Sequence, residues 1–284
     1  MPIIFGLLGP NGAGKSTLMR ILIKQKKDYT GTVELFGMDL KETDIRPVIG
    51  FAPQEFAFFF DFTVEENLST IGKLYGLGGR LLEERVGQAL DCFGLEEYRK
   101  KRAADLSGGY KRLLDIALST LHSPEILLLD EPTAGLDIGM RRKIHEAIKR
   151  IHESGTCIII TTHYLEEAAE LCDKIAIISN GRLHAIGSPE TLTREAGCEN
   201  AKLTIEADSG AEALALKFWE LGMDSLEVTG RHITAGCGQK DAVGFMNGIA
   251  IVLQENGMRV LGCEARRPSI EEAFRQIIAS ERTG

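Results

Sequence analysis

Gly9-Pro10-Asn11-Gly12-Ala13-Gly14-Lys15-Ser16-Thr17 fits the pattern G-x-x-x-x-G-K-[ST]. An apolar run, Pro2–Leu8, precedes it as a strand, and Thr17–Lys26 reads as the helix it opens. The residue types have a common physical purpose. Gly9, Gly12 and Gly14 allow backbone angles and close approaches that a side chain would block. Pro10 has no N–H, but the exposed N–H groups of the other residues from Gly9 through Thr17, Asn11 and Ala13 included, can then surround phosphate oxygens at the positive end of the helix dipole. Lys15 can neutralise β- and γ-phosphates, and Ser16 can place its hydroxyl on Mg²⁺. The stretch therefore predicts a nucleoside triphosphate site at a strand–loop–helix junction.

A second run supplies the acids that such a site needs. Ile126-Leu-Leu-Leu-Asp130-Glu131-Pro132 ends four apolar residues in two carboxylates. In an α/β sheet this places both acids at the carboxyl edge of a buried strand, beside the phosphate loop. Asp130 is expected to hold hydrated Mg²⁺, and Glu131 to orient or deprotonate an attacking water.

The whole chain is compatible with one large domain or two: it has 284 residues, against roughly 150 per domain. Hydrophobic residues make up 44% and charged residues 26%, which excludes a disordered or fibrous chain. The formal net charge of −8 argues against a non-specific polyanion binder, so no nucleic-acid partner is expected. Apolar runs fall far short of the roughly 20 residues that span a bilayer, and the N-terminus lacks a signal-peptide pattern. These features predict a soluble, cytosolic protein. Its six cysteines lack metal-ligand spacing and read as reduced, apolar packing residues.

Strand and helix patterns alternate through about residue 190, which predicts a mostly parallel sheet flanked by helices. Ile126–Asp130, Cys157–Thr162 and Ile175–Ser179 read as buried strands, while Leu81–Phe93, Gly108–Leu121 and Met140–Glu153 read as helices. Beyond a division near residue 197 the order becomes β-α-β-β-α-β, that of a small α+β ferredoxin-like module. Its expected elements are strands at 202–207, 225–229, 231–235 and 258–265, with helices at 211–221 and 241–256. A last helix opens at Ser269, with Glu272 as a capping-box partner.

Further motifs narrow the class. Leu106-Ser107-Gly108-Gly109-Tyr110 resembles the LSGGQ signature of ATP-binding cassette (ABC) ATPases, one helix before the Asp130 strand. Gln54 resembles the Q-loop glutamine, Ala134-Gly-Leu-Asp137 the D-loop, and His163 the switch histidine, all in family order over residues 1–190. The phosphate loop, the Asp130–Asp137 run and the tail ending in Arg267-Pro-Ser-Ile-Glu-Glu-Ala-Phe274 look most like cassettes that serve ABC-2-type export permeases.

The resemblance implies a P-loop NTPase with a RecA-like core and a helical subdomain, spanning residues 1–197, and an accessory domain over 198–284. It implies ATP and Mg²⁺ as cofactors, with Gln54 joining Ser16 and Asp130 around the metal. His163 would sense the γ-phosphate. Leu106, Ser107, Gly108 and Gly109 would complete the ATP site of an opposite subunit, and Asp137 would communicate across that interface. One phosphate loop and one signature per chain call for a homodimer or a related cassette. The implied partner is an integral membrane permease, which would hold the chain at the inner face of the membrane. A non-transport ABC ATPase and a nucleotide-dependent regulatory module are the alternatives.

Three features depart from the family pattern or stand outside it. Only eight residues precede Gly9, where such cassettes carry a strand pair and an aromatic that stacks on adenine. Either additional N-terminal residues are expected, or this chain binds adenine without a stack worth roughly 1–3 kcal/mol. Tyr110 replaces the usual glutamine, a variation seen in such cassettes. Phe56, Phe58, Phe59, Phe60 and Phe62 are five of the chain's 12 phenylalanines. They read equally well as core of the helical subdomain or as an apolar groove for a short permease helix.

Overall fold

The computed structural model describes residues 2–42, 44–195, 201–207, 225–237, 242–266 and 270–280. They fall into two compact units, Met1–Pro189 and Glu190–Gly284. The division expected near residue 197 lies in the segment 196–200, outside the described residues.

The first unit is built on a six-stranded sheet. Its strands are β1 (Ile4–Leu8), β4 (Ile49–Ala52), β5 (Ile126–Asp130), β6 (Cys157–Thr162), β7 (Lys174–Ser179) and β8 (Arg182–Gly187). A two-residue pair, β2 (Glu34–Leu35) and β3 (Met38–Asp39), forms a separate ribbon. The main sheet runs β4-β5-β6-β1-β7-β8 and is parallel as far as β7, with β8 antiparallel to it. Leu127, Leu128 and Leu129 are each fully buried, as expected for a parallel strand covered on both faces. Each such leucine contributes about 2 kcal/mol of transfer free energy. Register matters more for function. Leu8 pairs with Thr162, and Asp130 pairs with Thr161, so β1, β5 and β6 end at one level.

Three helices, α2 (Val64–Leu74), α3 (Gly79–Cys92) and α4 (Gly108–Thr120), pack together as a helical layer. Helix α2 begins in a capping box: Thr63 Oγ1 accepts from Glu66 N at 3.2 Å, and Thr63 N donates to Glu66 Oε2 at 2.8 Å. Val64, Leu68, Leu82, Val86, Leu90, Leu113 and Leu114 are buried at helical spacing. The expected helices appear with small shifts at their ends. Helix α1 (Lys15–Leu22) is shorter than expected, because Lys24 turns left-handed at φ 58° and Gln25 N and Lys26 N both return to Arg20 O. Helices α5 (Ile138–Glu153) and α6 (Leu165–Leu171) complete this unit.

Strands β4 and β8 were not expected. β4 is only four residues long and contains Gly50, where a Cβ would lie 2.1 Å from Ser119 O. β8 returns from β7 through Asn180-Gly181, both at positive φ (51° and 73°), a two-residue hairpin turn.

In the second unit, α7 (Pro189–Glu195) is followed by β9 (Ala201–Ala207), β10 (Ser225–Thr229), β11 (His232–Cys237), α8 (Ala242–Glu255), β12 (Val260–Arg266) and α9 (Ile270–Ser280). The sheet order β10-β11-β9-β12 is antiparallel throughout, the ferredoxin-like arrangement. Ile205, Ile233, Ile249 and Leu253 are buried within this unit. The helix expected at 211–221 and the cap at Ser269 lie outside the described residues.

Helix α4 carries a buried ion pair, Arg112–Asp115, at 3.2 Å. Arg112 also donates to Pro53 O and Gln54 O, each at 2.6 Å, and Asp115 Oδ1 accepts from Ala57 N at 3.0 Å. The pair therefore fastens the 53–57 segment to α4. Burial pushes the Asp115 carboxyl up to about 6, the Ala57 N–H and Arg112 offsetting only part of this. The folded state thus binds this proton more tightly than the unfolded chain, whose carboxyl titrates at 3.8. Asp115 favours folding at low pH, and that contribution fades as pH rises through about 6. Replacing Arg112 by Leu leaves a buried carboxylate unpaired, at a cost of about 3–5 kcal/mol. Denaturant midpoints should show a larger loss near pH 8 than near pH 5, where protonation relieves the orphaned charge.

Candidate functional site

The aligned strand ends bring the phosphate loop and both acids to one place. Gly9 leaves β1 against β7, and a Cβ on it would stand 2.0 Å from Ile178 O. Gly12 and Gly14 adopt φ of 79° and 104°, the left-handed region that favours glycine. The loop is closed by Ala13 N to Pro10 O at 3.2 Å and braced by Gly181 N to Ala13 O at 3.1 Å. Helix α1 then starts at Lys15, so the first amides of α1 open toward the loop.

Lys15 is buried, its ammonium donating to Gly9 O at 2.7 Å and Pro10 O at 3.1 Å, with Glu131 Oε1 at 3.7 Å. Burial lowers its pKa, and Glu131 and Asp130 push it partly back. Ser16 Oγ donates to Asp130 Oδ1 at 3.3 Å, and the Thr161 hydroxyl also hydrogen-bonds that oxygen. Hydroxyl and carboxylate together make the oxygen donor set that a hard divalent cation prefers. Among the described residues no cluster of three His, Cys, Asp or Glu is arranged to hold a metal alone. An ion here would take its other ligands from phosphate and water.

Glu131 turns out of the sheet at φ 49°, an uncommon conformation for a non-glycine residue. Its N–H donates to Thr161 O at 3.1 Å and to Thr161 Oγ1 at 3.0 Å, which holds the turn. Its Oε1 lies 3.3 Å from His163 Nδ1. Lys15, Ser16, Asp130, Glu131 and His163 thus converge.

Other expected residues stand apart from this cluster. The Gln54 side chain is exposed, and its backbone carbonyl is held by Arg112; no hydrogen bond joins its amide to Ser16 or Asp130. Ser107 sits at the N-cap of α4 but makes no side-chain capping bond. Ser107 and Gly108 are exposed and Leu106 is buried. Gly109 is buried because a Cβ there would lie 2.1 Å from Met140 Cγ, so this glycine serves packing against α5. Asp137 caps α5, accepting from Met140 N at 3.0 Å, beside Ile138, which is 72% exposed.

The phenylalanine run divides. Phe58 joins the core, whereas Phe59, Phe60 and Phe62 are 46%, 45% and 38% exposed. Buried Asn67 holds this loop, accepting from Phe59 N at 2.8 Å and donating to Phe59 O at 2.9 Å.

Thr161 and the Asn180-Gly181 turn were missed from the sequence. Two threonines ending the apolar run Ile158-Ile-Ile160 were the available signal for the first, and an Asn-Gly pair for the second.

This fold and loop define a P-loop nucleoside triphosphatase. A family model described as "ABC transporter" matches residues 3–134. Daunorubicin resistance ATP-binding protein DrrA3 of Streptomyces coeruleorubidus is 32% identical over 98% of this chain and 88% of its own length. Nod factor export ATP-binding protein I of a Rhizobium species is 34% identical over the same shares, 98% and 88%. Among solved structures, CbiO1 of Clostridium perfringens, part of the ABC transporter complex cbiONQ, superposes with a TM-score of 0.62 at 28% identity, covering 68% of this chain and 80% of that one. The chain belongs to the ABC transporter ATP-binding proteins. It is an ATP-binding ATPase subunit, of the kind that works with a membrane permease.

Replacing Gly9 by Ala forces the loop away from Ile178 O. Equilibrium titration with a fluorescent ATP analogue should show binding weakened at least about tenfold, or 1.4 kcal/mol.

Proposed function

We propose that two copies of this chain close around two ATP molecules and drive a separate ABC-2-type permease, in the direction of export. The observation that carries the reading is the convergence of Lys15, Asp130, Glu131 and His163 at one sheet edge, with Glu131 Oε1 3.3 Å from His163 Nδ1. ATP binds with its β- and γ-phosphates on the Gly9–Thr17 loop, displacing the Lys15 ammonium from the loop carbonyls. Ser16 and Asp130 would hold Mg²⁺, which supplies charge neutralisation at the phosphates. Glu131 orients and deprotonates the attacking water, and His163 contacts the γ-phosphate.

Dimerisation is supported by what the site lacks within one copy. The exposed Ser107 and Gly108 make no hydrogen bond or ion pair to the Gly9–Thr17 loop of the same chain, which suits a signature acting on a partner's nucleotide. Exposed Ile138 at the D-loop suits an interface that buries it. Export and the ABC-2 class are supported by relatives named for drug resistance and Nod factor export. No helix among the described residues is long and apolar enough to cross a membrane. A place at the inner membrane surface would therefore come from the permease. The exposed Phe59, Phe60 and Phe62 form the apolar face on which a short permease helix would dock.

Glu131→Gln should retain ATP while lowering hydrolysis by about 10²-fold or more, and size-exclusion chromatography with ATP should show a trapped dimer. A monomer under those conditions would remove Glu131 from its role. Phe59→Asp should leave the ATPase of the isolated chain intact while abolishing permease-dependent transport; unchanged transport would count against docking at this face.

A further inference from the structure

Behind the nucleotide edge lies a buried carboxylate to which phosphate chemistry assigns no part. Glu167, on α6, has a side chain only 5% exposed. Its Oε1 accepts from Thr133 Oγ1 at 2.6 Å and lies 3.2 Å from His145 Nε2. Burial alone would push this carboxyl up, but His145 and the Thr133 hydroxyl outweigh it and hold the group below its ordinary value. Thr133, His145 and Thr162 are themselves buried. On the far side of His145, Nδ1 faces Glu170 Oε2 at 3.5 Å, and Glu170 in turn faces Lys149 at 3.5 Å.

The positions of these partners in the chain are the point. Thr133 stands two residues beyond Glu131, in the turn that Glu131 enters at φ 49°. Thr162 directly precedes His163, and its hydroxyl accepts from Tyr164 N at 3.0 Å, shaping the turn that carries the histidine. His145 belongs to α5, whose N-cap is Asp137. A left-handed non-glycine turn persists only when its surroundings restrain it. Thr161 restrains the turn at Glu131 N, and Glu167 restrains it from the other end, at Thr133.

We infer that Glu167 is a positioning residue for ATP hydrolysis: through Thr133 it ties the Glu131-Pro132-Thr133 turn to α6, the helix that His163 and its N-cap Tyr164 lead into, and so sets the spacing of Glu131 and His163. A displacement on the order of 1 Å in such groups can cost about 10²-fold in rate without any loss of binding. The inference rests on the roles proposed above for Glu131 and His163.

The test uses the full chain and reads ATP turnover and ATP affinity separately. Glu167→Gln keeps the side chain's shape and removes its charge. It should lower kcat by about 10- to 100-fold with ATP affinity within about twofold of wild type. Thr133→Val, which removes only the hydroxyl, should lower kcat in the same way, and Thr133→Ser should restore most of it. Wild-type kcat in both Glu167→Gln and Thr133→Val overturns the inference. So does a parallel loss of affinity, kcat and melting temperature that Thr133→Ser fails to rescue, which is the signature of a merely structural contact. Should Glu167→Gln not fold, the Thr133 pair decides alone. Glu131→Gln measured alongside separates the two levels. If it stays active, the role of Glu131 itself falls; if it is inactive while Glu167→Gln turns over normally, only the present inference falls.

Discussion

A carboxylate at the end of three fully buried leucines survives only if partners compensate its desolvation, and the nucleotide edge of this protein is organised around that requirement at Asp130. Asp130 is buried and takes hydrogen bonds from Ser16 and Thr161, one from the phosphate loop and one from the neighbouring strand. Thr161 also receives the N–H of Glu131, so one threonine joins both acids. The phosphate loop, the acidic strand and the switch strand therefore hold one another. Each hydrogen bond contributes modestly, but the charged ones are roughly twice as strong and costly to leave unmade.

The same constraint recurs at two other buried carboxylates in the first unit. Asp115 is paired with Arg112 and fastens the segment around Gln54 to the signature helix α4. Glu167 is paired with His145 and Thr133 and fastens the turn after Glu131 to α5 and α6. In both cases the carboxylate lies behind a loop that carries expected site residues, Gln54 in one and Glu131 and Asp137 in the other. A loop held in this way is restrained at its base while its tip stays exposed, as Gln54 and Asp137 are. Rigid roots with exposed tips suit residues that must meet a partner subunit or nucleotide in a defined geometry.

Much of this was legible in the sequence because its signals are local. The phosphate loop, the Asp130-Glu131 strand end and the order of the motifs each depend on neighbours in the chain, and the alternation of apolar runs with helical periodicity marks the sheet. The four strands and the helix between the last two in the second unit were readable for the same reason. Strands β4 and β8 were not, since a four-residue strand containing glycine and an exposed edge strand carry weak periodicity. Thr161 was passed over because a threonine at a strand end has no meaning until Asp130 is known to lie beside it. Ser107 is a residue type that favours the N-cap, yet its hydroxyl is not used by its own helix. That the missing Cβ of Gly109 makes room for Met140 on another helix was likewise invisible in the chain.

The sequence by itself determined the nucleotide-binding loop, the acids that follow a buried strand, and membership of a family recognised by six motifs in order. These depend on residue type and short spacing, which are written directly into the chain. Only the tertiary structure decided which of those residues meet. Glu131 and His163 are separated by more than thirty residues and come within 3.3 Å because β5 and β6 pair in parallel with Asp130 opposite Thr161. It also decided that Phe58 is core while Phe59, Phe60 and Phe62 face outward, a division that consecutive residues of one type cannot announce. Register and burial are properties of long-range packing, where a shift of one residue turns every side chain to the opposite face.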